Sequence, residues 1–320
     1  MCRNNEQLGV SVVIPTIGRA SVSDAVMSCR NQLGGAVVEV VVVGDISPQE
    51  VADLDGRYRL SQSGVLVACT GGGRGACSAR NLGLSLASQP MVAFLDDDDV
   101  FTTNKFCDQL DAYNSIDYDD VIVAGRARYV MPSGESVLVP ATVYNGERMG
   151  EDLFLNRRLS VDRNLIPTPT WLMPTSLARR VGWTEGLKRH QDWDFLIRAT
   201  AVHGARVLQV PQEVAMVRTE SEGSITSSAG VNESFEWAVS IKHHIGDAAF
   251  SDFVFGQSVR HALQAHAPRA AFRYARGALD ASMPSLRCFI LAASGLAPRR
   301  WMARSMGRSA RRVGVGAEIP

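Results

Sequence analysis

Several absences narrow the chain before any motif is read. No C-x-x-C pair occurs among its six cysteines (Cys2, Cys29, Cys69, Cys77, Cys107 and Cys288), and no histidine ladder lies near them, so neither a zinc site nor a disulfide framework is indicated. A reducing cytoplasm is therefore the expected home. No apolar run reaches the ~20 residues needed to cross a bilayer. The nearest, LRCFILAASGLA, is short and carries Arg287. The opening MCRNNEQLGV has no long apolar stretch, so no secretory signal is expected. Net charge is also missing: 33 basic residues balance 33 acidic ones, which argues against the molecule as a whole binding nucleic acid. Internal repeats and low-complexity tracts are absent. What is present is a 320-residue chain, 46% hydrophobic and 21% charged, able to bury a sizeable core. That length suits one large domain with an appendage.

The neutrality is uneven. From Arg260 onward, eleven arginines face only Asp280 and Glu318. This basic tail has two readings: ordinary solvated helix faces, or a patch drawn to an anionic membrane surface, where each nearby arginine adds ~1 kcal/mol.

Strands and helices alternate through the first half, the pattern of a parallel α/β sheet. GVSVVIP is a β-branched run stopped by proline, VVEVVVVGD is a second strand ending in an acid, and GVLVAC is a third. Helices are read over SVSDAVMSCRNQL and ACSARNLGLSLAS, and a fourth strand over MVAFL. Strands this apolar suit a sheet covered on both faces. Further on, NKFCDQLDAYN reads as a helix, DDVIVAGRARYV as a strand, MPSGES as a turn and ARVLQVP as another strand. Along QDWDFLIRATAVHG, Trp193, Leu196, Ile197 and Ala201 share one helical face, Asp194 can pair with Arg198 at i, i+4, and Gly204 marks the stop. The polar, Gly/Ser-rich TESEGSITSSAGVNES marks a domain boundary, giving a domain over 1–226 and a helical, Arg-rich extension over 227–320.

Open α/β sheets bind ligands beyond the carboxyl ends of their strands, where Pro15-Thr16, Asp45 and the aspartates Asp96 to Asp99 all fall. The four adjacent carboxylates after MVAFL repel one another. A solvated acidic loop is the plain reading. At a strand end, a hard divalent ion such as Mg²⁺ or Mn²⁺ bridging to a diphosphate is the functional one. TGGGRGACSARN competes: Gly71, Gly73 and Ala76 fit G-x-G-x-x-G/A between a strand and a helix, with Asp96 about twenty residues on, the fingerprint of a dinucleotide-dependent oxidoreductase. That fingerprint normally sits on the first strand, whereas two strands already precede this turn. In HQDWD, Asp192 and Asp194 are either acids favoured near a helix N-terminus or include one carboxylate facing the sheet edge as a base.

Taken in order, these segments resemble a family 2 glycosyltransferase. SVVIPTIGR is similar to the family's opening strand and turn, and VEVVVVGDIS to its second strand with the base-contacting acid. GACSARNLGLSLASQPMVAFLDDDDVF resembles its most specific stretch, ending in the D-x-D metal motif, and HQDWDFLIRA its acidic base motif. TWLMPTSLARRVGW and RTESEGSIT resemble flanking segments, so the likeness covers roughly Val10 to Thr226. Ile17, Gly18, Gly44 and Gln191 depart from the family pattern.

The resemblance implies an α/β fold of GT-A type, with a Rossmann-like, mixed but mostly parallel central sheet flanked by helices and followed by a C-terminal helical extension. It implies an inverting transfer from a nucleotide-sugar, a UDP-sugar favoured, to a glycan or lipid-linked acceptor, with Mn²⁺ or Mg²⁺ as cofactor. Asp96 and Asp98 would hold the cation. Pro15, Thr16, Asp45, Arg80 and Asp97 would contact or support the nucleotide donor, with Asp45 at the base and Arg80 behind the donor-side turn. Asp192 would be the general base. A free Asp has a pKa of about 3.9, so that role needs desolvation or concerted proton transfer. A lipid-linked acceptor would place the enzyme at the inner face of the membrane, touching it through the basic tail.

Overall fold

A computed structural model describes residues 8–140, 143–144, 149–155, 166–219 and 232–296. Two compact units divide the chain: Met1–Leu153 with Val161–Ser228, and Phe154–Ser160 with Ala229–Pro320. The boundary read from sequence at 226/227 lies outside the described residues.

The first unit is built on one sheet. Its strands are β1 (Val10–Thr16), β2 (Val38–Gly44), β3 (Leu66–Cys69), β4 (Met91–Phe94), β5 (Val100–Phe101), β6 (Val121–Val130), β7 (Ser136–Val139), β8 (Trp171–Pro174) and β9 (Arg206–Arg218). They lie in the order β3-β2-β1-β4-β8-β6-β9-β5, with β7 hairpinned onto β6. The first four run parallel, β8 is antiparallel to both β4 and β6, and β9 is parallel to β6. The fold class is therefore mixed and mostly parallel α/β.

Its helices are α1 (Val22–Arg30), α2 (Pro48–Tyr58), α3 (Ala76–Leu86), α4 (Lys105–Asn114), α5 (Met149–Phe154, whose last residue falls in the second unit), α6 (Thr175–Val181) and α7 (Gln191–Ala201). α3 lies hard against β1 and β2 because Gly83 has no side chain: a Cβ there would come within 2.4 Å of Val13. β1, β2 and β4 are buried along almost their whole length, as their unbroken apolar composition requires.

Some elements differ from the sequence reading, for identifiable reasons. α2 is started by a capping box in SPQE: Ser47 N–H donates to Glu50, whose own N–H donates back to Ser47 Oγ at 3.3 Å. β9 continues through Pro211 to Arg218 because the register shifts beside Arg126, leaving proline where the ladder is already irregular. α7 turns Asp194, Phe195, Leu196, Ile197 and Ala199 inward, so the buried face is not the one expected: Trp193 is half-buried and Ala201 exposed.

The second unit is helical: α8 (Glu233–Phe253, kinked at Gly246), a π-turn segment (Val254–Val259), α9 (Arg260–Gln264), α10 (Pro268–Leu279) and α11 (Leu286–Ala293). Phe154, Trp237 and Phe253 pack edge to face in its core.

Candidate active site

Parallel register brings the carboxyl ends of four strands to one edge. Thr16 lies opposite Gly44, Gly44 opposite Cys69, and Val13 opposite Phe94. The loops that follow, starting at Ile17, Asp45, Thr70 and Leu95, therefore emerge together. Because β8 is antiparallel to β4, its leading residues Thr168–Thr170 arrive at the same edge.

The four aspartates do not behave as one acidic patch. Asp99 N–H donates to the Asp96 carbonyl at 3.1 Å, closing a turn that points alternate side chains in opposite directions. Asp97 and Asp99 are buried, Asp97 at 2% exposure, while the carboxylates of Asp96 and Asp98 remain 39% and 16% exposed. Asp97 accepts from the Thr16 hydroxyl at 2.6 Å and from Arg19 at 2.7 Å. Thr16 and Asp97, expected among the donor contacts, thus fix the acidic turn to the end of β1. Pro15 is buried within β1 opposite Val43. Asp99 accepts the Arg218 backbone N–H at 3.0 Å. Burial drives its carboxyl well above the usual carboxylate range, and Asp96 adds to the rise.

Asp96 is held by Arg80, Nη2 to Oδ1 at 2.5 Å. Arg80 Nη1 donates to Gln191 Oε1 at 2.8 Å, and the guanidinium lies 4.7 Å above the Trp183 ring. Arg80 therefore ties the acidic turn to the start of α7. Trp183 is itself fixed in a buried stack with Trp171 and Phe195. Gln191 also donates to the Leu187 carbonyl at 2.7 Å, a bond that a glutamate carboxylate could not make.

The two acids of HQDWD separate clearly. Asp194 is buried, accepting from Thr184 at 2.6 Å and Arg198 at 2.9 Å, so its role is structural. Asp192 is half-buried and faces the Thr168 N–H at 3.4 Å. Burial pushes its carboxyl above the ordinary range; Arg80 and Thr168 oppose the shift, and Asp96 adds to it. The Tyr129 phenol on β6 is raised by burial and then by Asp192, Asp99 and Asp96, which places it in the same field. His190 stacks flat on Trp193 at 5.0 Å, and burial lowers its pKa to about 3, so it is uncharged at neutral pH.

Asp45 forms a second cluster at the same edge. Burial works against its carboxylate, but donors from Thr70 (2.5 Å), Arg74 N (2.8 Å) and Gly75 N (2.7 Å) outweigh it and hold the pKa below the usual value. Gly71, Gly72, Gly73 and Gly75 all have positive φ, the conformation that turns those amides inward. The glycine turn thus follows β3 at the edge of the sheet and cradles a carboxylate of its own chain. In this arrangement the Arg74 and Gly75 amides are taken by a side chain, whereas a dinucleotide turn presents its backbone to a pyrophosphate.

Arg19, Tyr129, Thr168 and Arg218 were not anticipated. Arg19 had a readable signal, a cation three residues past a strand end that faces acids. The others arrive through β6, β8 and β9, whose antiparallel and shifted pairings no local pattern reveals.

As a cation site, the edge offers the hard oxygens of Asp96 and Asp98 and no more. Among the described residues no group of three or more His, Cys, Asp or Glu side chains could form a full cage. Two carboxylates fit a Mg²⁺ or Mn²⁺ ion whose shell is completed by diphosphate oxygens and water.

This sheet order with an acidic turn after β4 defines a GT-A architecture. Solved structures agree: the chain superposes on residues 1–349 of TarS from S. aureus, crystallised in complex with UDP-GlcNAc, with a TM-score of 0.62 at 19% identity, covering 95% of this chain and 90% of that one. Residues 11–162 match the family model Glycosyl transferase family 2. The chain is 24% identical over 246 residues to the amylovoran biosynthesis glycosyltransferase AmsB of Erwinia amylovora, spanning 75% of this chain and 80% of AmsB. It is 28% identical over 130 residues to the chondroitin synthase of Pasteurella multocida, spanning 39% of this chain and 13% of that protein. The chain thus carries a family 2 glycosyltransferase domain over residues 11–162.

Proposed function

We propose that the chain is an inverting, metal-assisted glycosyltransferase that moves a sugar from a UDP-sugar to an acceptor hydroxyl in the assembly of a polysaccharide or other surface glycan. The carrying observation is the meeting of Asp96, Arg80, Gln191 and Asp192 at one strand edge, which sets a carboxylate of raised pKa beside an outward-facing acid pair. The shared fold with TarS, solved with UDP-GlcNAc, supports a UDP-sugar donor. Relatives named for amylovoran and chondroitin support a glycan product.

In this reading Asp192 takes the proton of the acceptor hydroxyl as its oxygen bonds to the anomeric carbon. The bond from that carbon to the diphosphate oxygen breaks, its electron pair departs with the nucleoside diphosphate, and attack from the opposite face inverts the centre. Raised basicity suits Asp192 to the task, since a carboxylate of ordinary pKa is a weak base at neutral pH. Arg80 holds Asp96 and orients α7, while Asp45 and its glycine cradle form the wall for the nucleotide base. Asp96 and Asp98 would hold the cation, Asp98 more directly because its nearest guanidinium is 3.4 Å away while Asp96 is bound by Arg80 at 2.5 Å. A bound Mn²⁺ or Mg²⁺ would supply neutralisation of the departing diphosphate.

Calorimetric titration of UDP, GDP, dTDP and NAD with and without Mn²⁺, on the native protein and Asp98→Ala, tests this reading. UDP binding that needs Mn²⁺ and is lost in the variant is expected, together with turnover of a UDP-sugar. Metal-independent NAD binding that survives Asp98→Ala would move the site to the glycine turn. UDP binding without transfer or donor hydrolysis would make the chain a sugar-nucleotide binder.

A further inference from the structure

In the helical unit, one corner presents apolar side chains to solvent among arginines. α10 buries Ala271, Tyr274 and Ala278 and turns Phe272 and Leu279 outward. Arg269, Phe272, Arg276 and Leu279 follow at three- and four-residue steps, hence on one face, and all four are exposed. The connection to α11 is pinned from α8: Ser285 N–H donates to Asp252 at 2.6 Å, and the Ser251 hydroxyl reaches the Ala278 and Ser282 carbonyls at 2.5 and 2.6 Å. α11 then buries Cys288 and Ala292 and leaves Leu286 and Ile290 outside. Phe272, Met283 and Leu286 are 72%, 73% and 75% exposed.

Isolated exposed leucines need no explanation, but large apolar side chains repeated along a rigid, hydrogen-bonded corner mark a surface that is covered in use. The surrounding charge selects what covers it. Among the described residues from Arg260 on, five arginines stand against a single acid, Asp280, which lies 4.0 Å from Arg276. A second copy docked face to face would set arginine against arginine, since a two-fold contact pairs a patch with itself. A hydrated polyanion would satisfy the arginines and leave Phe272, Met283 and Leu286 without an apolar partner. A bilayer containing anionic lipid satisfies both, with arginines at the headgroups and apolar tips at the acyl boundary. None of the described helices is long and apolar enough to cross a membrane, so contact through this corner would be interfacial.

We infer that the α10–α11 corner docks on an anionic membrane surface, inserting Phe272, Met283, Leu286 and Ile290 while Arg269, Arg273 and Arg276 face the headgroups. This inference stands independently of the sugar-transfer reading.

The test is co-sedimentation of the full chain with phosphatidylcholine vesicles and with vesicles containing phosphatidylglycerol. Two variants accompany it, Phe272→Ser/Leu286→Ser/Ile290→Ser and Arg269→Gln/Arg276→Gln. All five positions are exposed, so thermal melts should match the native protein. Binding to the anionic vesicles only, weakened by salt, is expected. The arginine pair should lower partitioning about thirtyfold, near fivefold per charge. The apolar triple should lower it about tenfold or more. Absence of binding to anionic vesicles at low salt overturns the inference. Binding untouched by the apolar triple overturns it as well, by reducing the contact to charge adsorption. Self-association abolished by that triple, with no vesicle binding, would assign the corner to a second copy.

Discussion

Asp192 and Asp194 lie two residues apart, yet changing each to asparagine should have opposite effects. Asp194 accepts from Thr184 at 2.6 Å and from the Arg198 guanidinium at 2.9 Å, and Arg198 also bonds the Gly182 carbonyl at 2.7 Å. Removing one charge of a buried pair costs about 3–5 kcal/mol because the other is left uncompensated. Arg198 retains its carbonyl partners and some solvent, and asparagine still accepts from Thr184, so about 2–3 kcal/mol is the fitting loss for Asp194→Asn. In a domain of this size that lowers the melting midpoint by about 4–12 °C. Asp192→Asn removes a carboxylate whose charge burial disfavours, so stability should hold or rise slightly, while sugar transfer falls about 10²- to 10⁴-fold with the loss of the base. Thermal melts followed by fluorescence report on the right core, since Trp171 and Trp183 stack within it. An Asp194→Asn protein that melts with the wild type, or an Asp192→Asn protein destabilised by 2 kcal/mol or more, on the order of a buried-pair loss, would refute this division of roles.

Two further outcomes concern titration. With Asp192 raised by burial against the opposing Arg80, and with Asp96 and Tyr129 in the same field, the rate of transfer should rise with pH through an inflection above the ordinary aspartate value. Arg80→Met removes the opposing charge and should move that inflection upward; a pH–rate profile in which it stays or falls contradicts the assignment. Lys105 on α4 is fully buried, donating to Gln109 at 2.7 Å with its Nζ above the Phe101 ring, and burial drives its pKa well below the usual lysine value, with Cys29 acting in the other direction. The unfolded chain therefore binds a proton that the folded chain does not, so stability climbs with pH between the lowered folded value and about 10.4, then levels. Denaturant melts of Lys105→Met across that window should lack this slope, and an unchanged slope would show that Lys105 stays charged when folded.

Much of the parallel half was readable because its signals are local. The runs VSVVIPT, VEVVVVG and MVAF are strands in the structure, and the acids that close two of them fall at the common edge. The i, i+4 pairing of Asp194 with Arg198 was visible in spacing alone and forms at 2.9 Å. The rest depends on pairings far apart in sequence. Trp171–Pro174 ends in a proline and follows two more, Pro167 and Pro169, and becomes a central strand only because β4 and β6 flank it. Thr168 reaches Asp192 through that same strand. The glycine turn was readable as an anion cradle but not for its anion: its amides close on Asp45, a residue 25 or more positions earlier in the chain.

Four neighbouring carboxylates are tolerable here because each has a different environment. Asp97 is bound by Thr16 and Arg19, Asp99 is buried against the Arg218 amide, Asp96 is paired with Arg80, and Asp98 is left with the longest ionic contact. The alternation set by one turn thus converts a repulsive run into two buried anchors and two outward-facing carboxylates. Arg80 is the residue this arrangement can least exchange. It must donate to Asp96 and Gln191 through separate nitrogens while its plane rests on Trp183, a combination a rigid, delocalised fork can make and a lysine ammonium cannot. Holding the acidic turn and the start of α7 with one side chain keeps Asp96 and Asp192 in fixed relation, so the spacing between these two carboxylates rests on buried packing around Trp183 rather than on either loop.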